Sequence, residues 1–94
     1  MSSRRLLKHG IHVIANDLIS ECLLIVTYVP NASMEKTQDI IHKIAHYEDE
    51  FVTRAARYDG KNNPKIAKAY YRKLMIDWST IVNNLSKGIA ELSK

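Results

Sequence analysis

The sequence predicts an all-α protein, an up-down-up three-helix bundle that forms a single domain over residues 1–94. Two observations carry this prediction. Only three glycines and two prolines occur among the 94 residues, so long helical segments are separated by short connections. Within those segments, apolar residues recur at steps of three and four, which is the spacing of one helical face. Short connections make sequential helices antiparallel, which gives the up-down-up order.

The first helix is predicted over about residues 3–28, where an N-terminal serine can cap it and Pro30 ends it. Asp17 and Glu21 fall beside its main apolar stripe rather than on its polar side. Buried carboxylates need hydrogen-bond or ion-pair partners, so these two residues are unusual in an apolar helix. The stripe consists of Leu7, Ile11, Ile14, Leu18, Cys22, Ile25 and Val29.

The second helix is predicted over residues 34–58, with Ser33 as its N-cap and Gly60 after its end. The third is predicted over residues 64–92, because Asn63 caps well and proline tolerates the first helical position. Its apolar seam consists of Ala67, Tyr71, Leu74, Trp78, Ile81, Leu85 and Leu92. Both helices are therefore amphipathic and can share one core with the first.

Composition limits the partners, the cysteine chemistry and the cellular compartment that we expect for the protein. A net charge of +4 and a pI of about 9.3 favour anionic partners only weakly. Cys22 is the sole cysteine, so an intrachain disulfide and a zinc site of paired thiolates are excluded. The longest strongly apolar run, 22–26, is shorter than the roughly 18 residues that a membrane span needs. We therefore expect a cytoplasmic protein without a membrane contact.

Basic residues gather where the first helix begins, the second ends and the third begins. Such an end could bind phosphates of a nucleic acid or another polyanion. A solvated surface with local ion pairs is the more ordinary interpretation, and no known nucleic-acid-binding spacing supports the sharper one. The candidate anion patch is Arg4, Arg5, Lys8, Arg54, Arg57, Lys61, Lys65, Lys68, Arg72 and Lys73.

Three carboxylates form a candidate buried polar cluster, since Glu48 of the second helix should lie about level with residues 14–17. Asp17, Glu21 and Glu48 could in principle bind a metal or move a proton. The chain has no Glu-x-x-His motif, however, so a carboxylate-bridged metal pair is not favoured. We expect structural hydrogen-bonding groups at a helix junction or a dimer seam.

Other chemical groups give no stronger signal. His42 and His46 are spaced i, i+4 and could hold a divalent metal, but no third ligand is fixed by spacing. Cys22 lies on the apolar stripe and should be an inert small hydrophobe. We therefore predict no catalytic residue, no metal and no cofactor.

Surplus apolar surface points to association. Ile19, Leu23 and Val26 lie on the remaining side of the first helix and are predicted to contact a second copy of the chain. The function predicted is that of a non-enzymatic protein–protein interaction module, a homodimer or a partner of another protein. The alternatives are a nucleic-acid-binding protein that uses the basic end, and a metal-binding or enzymatic protein that uses the inward carboxylates.

Several segments resemble a group of small uncharacterised bacterial helical-bundle proteins with no established function. The segments are residues 3–8, 17–22, 49–54 and 70–77. The resemblance covers most of the chain and implies a helical fold. It implies no site residues.

Overall fold

The computed structural model describes residues 3–57 and 64–93 and shows three packed helices, which confirms the all-α bundle. Helix α1 spans Ser3–Tyr28, α2 spans Met34–Arg57 and α3 spans Pro64–Leu92. No strand occurs in the two described ranges. The bundle is elongated, with principal extents of 54 × 20 × 16 Å.

The connection from α1 to α2 is built by local chemistry. Asn31 adopts a left-handed backbone with φ of 67°, which reverses the chain after the proline. The N–H of Lys36 then donates to Ser33 Oγ at 3.1 Å, so Ser33 is the predicted N-cap. The Thr37 hydroxyl donates to the Ser33 carbonyl at 2.7 Å. The predicted Gly60 and Asn63 signals lie outside the described residues.

The buried seam of α1 consists of Ile11, Ala15, Leu18 and Cys22, each at most 4% exposed. The sequence-based stripe was partly wrong, because Ile14 is 38% exposed. Ala15 explains the difference: its small side chain is fully buried and lets α2 approach α1 closely, which turns the buried side of α1 toward residue 15.

The core has two connected parts along the long axis. Near the start of α1, Ile11 and Phe51 pack with Leu74 and Trp78, and the Phe51 and Trp78 rings lie 5.1 Å apart. Toward the other end, Leu18 and Cys22 pack with residues of α2 and α3. The buried members of that second cluster are Ala15, Leu18, Cys22, Ile44, Leu85, Ile89 and Leu92.

Helix α2 packs against both other helices, whereas α1 and α3 contact each other least. The two grooves between α1 and α3 show their relative direction. Leu6 and Ile14 lie level with Met75, and Leu24 lies level with Ala90, so α1 and α3 run parallel. The bundle is therefore closed on the α2 side and open between α1 and α3.

Helix α1 is long and apolar enough to cross a membrane over Arg5–Tyr28, and only 22% of the qualifying window is buried inside the bundle. Counting uninterrupted apolar residues missed this property, because a span tolerates scattered polar side chains. A core helix of a soluble protein passes the same criterion. The cytoplasmic setting stays an expectation.

Candidate association surface

One side of α1 exposes large apolar side chains to solvent. We call it the open face and define it by Leu6, Val13, Ile14, Leu24 and Tyr28. Their exposed fractions run from 38% for Ile14 to 76% for Tyr28. At 100° per residue these positions fall within one arc of about 100°, centred about 120° around the helix from the seam that packs on α2. Most of the large exposed apolar side chains of α1 thus lie on one side, with Leu23 outside the arc.

The open face continues into the groove between α1 and α3. A hollow of about 280 Å³ lies near the start of α1 and one of about 390 Å³ lies near its end. The first is lined by Leu6, Leu7, Gly10, Ile11, Ile14, Met75 and Trp78. A Cβ built on Gly10 would meet nothing within 4 Å, so no side chain of the bundle covers this position.

The predicted buried polar cluster is wrong for two of its three members. Asp17 and Glu21 are exposed in the chain and lie on the open face, among its apolar side chains. The turn of α1 toward residue 15 carries both carboxylates away from α2. Glu48 is only 20% exposed, but its Oε2 lies 2.7 Å from Nδ1 of His12. The three carboxylates therefore do not meet.

The three residues predicted to contact a second copy do not share one exposed surface. Ile19 is half-buried and packs against the core cluster of its own chain. Val26 is half-buried as well. Leu23 is 51% exposed but lies about 100° around the helix from Leu24. The same rotation explains these placements, since it moves Ile19 and Val26 toward α2 and brings the opposite side of α1 to the surface.

Arg54, one of the candidate anion-patch residues, forms an ion pair within the bundle. Arg54 Nη2 donates to Asp77 Oδ2 at 3.0 Å, and its guanidinium carbon lies 4.8 Å from the Phe51 ring centre. Lys73 Nζ lies 3.3 Å from the same carboxylate. Arg54 therefore ties α2 to α3, and its guanidinium is already engaged by Asp77 within the chain.

Among the described residues, the other patch members line none of the hollows seen between the helices. Lys8 is half-buried, while Arg5, Arg57, Lys65, Lys68 and Arg72 are exposed. Lys61 lies outside the described residues, and the Arg4 side chain is not described. The exposed members of the patch are solvated cations at one end of the bundle.

Asp77 was not predicted as a structural residue, and its only sequence signal is the i, i+4 spacing to Lys73. Hydrogen bonds from Arg54 and Lys73 lower the pKa of Asp77 below its usual range. A lowered pKa in the folded state stabilises the fold at pH values above the ordinary aspartate range. That contribution is lost as pH falls through the lowered pKa.

We therefore expect Asp77→Asn to reduce stability at neutral pH and to change it less in acid. The comparison is urea unfolding at pH 7 and at a pH below the lowered pKa of Asp77, well under the ordinary aspartate range. Asp49→Asn, at an exposed position of α2, is the matched control. Equal losses at both pH values would contradict the role given to the Asp77 carboxylate.

Reactive and metal-ligating groups are not assembled into a site. Within residues 3–57 and 64–93, no group of three or more His, Cys, Asp or Glu side chains could hold a metal ion. His42 and His46 line a shallow groove with Tyr47 and Asn84. Burial and the neighbouring Glu21 raise the pKa of the Cys22 thiol, which is fully buried. The thiol is thus shielded and protonated at neutral pH.

Comparison with protein-family models, with curated proteins and with solved structures finds no match to this chain. The resemblance inferred from the sequence therefore stays an expectation. Functional inference rests on the surface of the bundle itself.

Proposed function

We propose that the protein is a non-enzymatic helical interaction module that associates with itself through the open face of α1. The observation that carries this proposal is the concentration of exposed apolar side chains on one side of a helix whose other side is buried. Scattered exposed apolar residues are normal in soluble proteins, but several large ones on one side of a helix mark a candidate interaction site, here with Asp17 and Glu21 among them.

The size of the patch fits a second chain. The exposed parts of the open face and of Met75 amount to roughly 600 Å², near the upper end for the largest patch on a monomer. A standard specific interface buries roughly 800 Å² on each partner. The apolar surface alone thus supplies most of one side of an interface, and the polar margin of the groove can supply the rest.

The test is a charge placed on the open face. Val13→Glu together with Leu24→Glu should weaken self-association at least about tenfold, because each carboxylate must lose water when the interface forms. Sedimentation velocity over a concentration series measures the dimer Kd. Circular dichroism should show unchanged helix content, since both positions are about half exposed.

The matched control is Leu23→Glu together with Met34→Glu. These positions have similar exposure, 51% and 57%, but lie off the open face. We expect the control to dimerise like the wild type. A wild-type chain that is monomeric throughout the series, or a control that is weakened equally, would contradict the proposal.

A further inference from the structure

Charge is distributed unevenly along the side of the bundle that carries the open face. Asp17 and Glu21 lie in the second half of α1. Lys68 and Arg72 precede Met75 on α3, and Met75 lies level with the first turns of α1. All four side chains are exposed. The same side is therefore acidic toward the end of α1 and basic toward its beginning.

These four groups have no ion-pair partner within the described part of their own chain. By contrast, Arg54 and Asp77 pair with each other across the α2–α3 groove. Surface charges on solvated helices are ordinary when they stand alone. Here, however, two carboxylates interrupt an apolar face that the proposed function buries, so they need an external partner.

We infer that the second copy docks antiparallel, with α1 against α1 and a two-fold axis in the first half of the helix. This inference rests on the proposed self-association. A two-fold axis near residues 11–13 carries the acidic half of each α1 to the basic beginning of the other chain. Asp17 and Glu21 then face Lys68 and Arg72 of the second copy, and the apolar residues between them meet in the centre.

A parallel arrangement makes the opposite contacts. It sets Asp17 and Glu21 beside their own copies, and like charges across an interface disfavour association. The uncovered space above Gly10 admits a neighbouring helix in either orientation. Charge complementarity is thus what favours one orientation of the same two surfaces.

The orientation is measurable as one distance. A spin label is attached to Leu23→Cys, an exposed position off the open face, in a Cys22→Ala background, and pulsed electron paramagnetic resonance measures the separation within the dimer. With the axis near residue 12 and a rise of 1.5 Å per residue, the antiparallel dimer separates the two positions by roughly 30–35 Å. In the parallel dimer they lie on adjacent helices, whose axes are about 8–10 Å apart.

A second measurement uses charge alone. Asp17→Asn with Glu21→Gln should weaken the antiparallel dimer about three- to tenfold, because favourable pairs are lost. The same change would strengthen a parallel dimer by relieving repulsion. A variant with all four charges reversed restores every pair; it carries Asp17→Lys, Glu21→Lys, Lys68→Glu and Arg72→Glu. It should dimerise more tightly than the variant that carries only Asp17→Lys and Glu21→Lys.

The outcomes separate this inference from the proposed function. A dimer with a short label separation, or one that tightens when the acids are neutralised, overturns the antiparallel arrangement and leaves self-association intact. A wild-type chain that stays monomeric overturns both. Binding of that monomer to anionic lipid vesicles would then assign the open face to a membrane surface instead.

Discussion

Replacing Trp78 by alanine should destabilise the bundle by about 3–5 kcal/mol, the usual cost of deleting a large buried aromatic side chain. Trp78 is 3% exposed and packs against Phe51 in the part of the core where all three helices meet. Its Nε1 is buried and lacks a hydrogen-bond partner in the described structure. An unsatisfied buried donor costs about 1–3 kcal/mol.

Trp78→Phe should therefore behave differently from Trp78→Ala. It removes the unsatisfied N–H together with part of the ring, and these effects oppose each other. We expect a change within about 1 kcal/mol of wild type. Urea unfolding followed by circular dichroism measures both variants, at a protein concentration below the Kd of the proposed dimer so that association does not contribute.

Ile76→Ala, at a position 61% exposed on the same helix, is the control and should change little. A Phe variant as damaged as the Ala variant would contradict the assignment of an unsatisfied donor. It would indicate that Nε1 has a partner in solution.

Enlarging Ala15 should destabilise the bundle by about 2–3 kcal/mol when leucine replaces it, because an overpacked core must shift backbone or strain side chains. Ala15 is fully buried on α1, and α1 and α2 are the helix pair that packs most extensively. The added atoms must separate these helices or rotate α1.

Ala45→Leu supplies the matched control, since Ala45 is exposed on α2 and the same side chain is added there without crowding. Thermal and urea unfolding compare the pair. If Ala15→Leu proved as stable as Ala45→Leu, the close approach of α1 and α2 would be wrong. The rotation of α1 that exposes Asp17 and Glu21 would then lose its cause.

Helix positions could be predicted because local chemistry marks them. Ser33 caps α2 through its own hydroxyl, and a proline begins α3, so neither boundary depends on distant contacts. The apolar spacing likewise identified most of the core, including Leu18, Leu74 and Leu85. These features depend on residues that lie close to one another in the sequence.

The surface of α1 could not be predicted as well, because it depends on how far the helix turns about its axis. A turn of tens of degrees exchanges Ile14 and Ile19 between surface and core. The sequence pattern gave no weight to Ala15, whose value lies in the space that it leaves. The cross-helix pairs His12–Glu48 and Arg54–Asp77 depend on the same relative placement of helices.

Cys22 gives this bundle an internal reporter of its motions. A fully buried thiol with a raised pKa reacts only after α1 separates from its neighbours, because the thiolate is the reactive form. The rate of alkylation in native buffer therefore reflects how often that separation occurs. Since the proposed dimer contact lies on the other side of the same helix, association should slow this reaction without covering the sulfur itself.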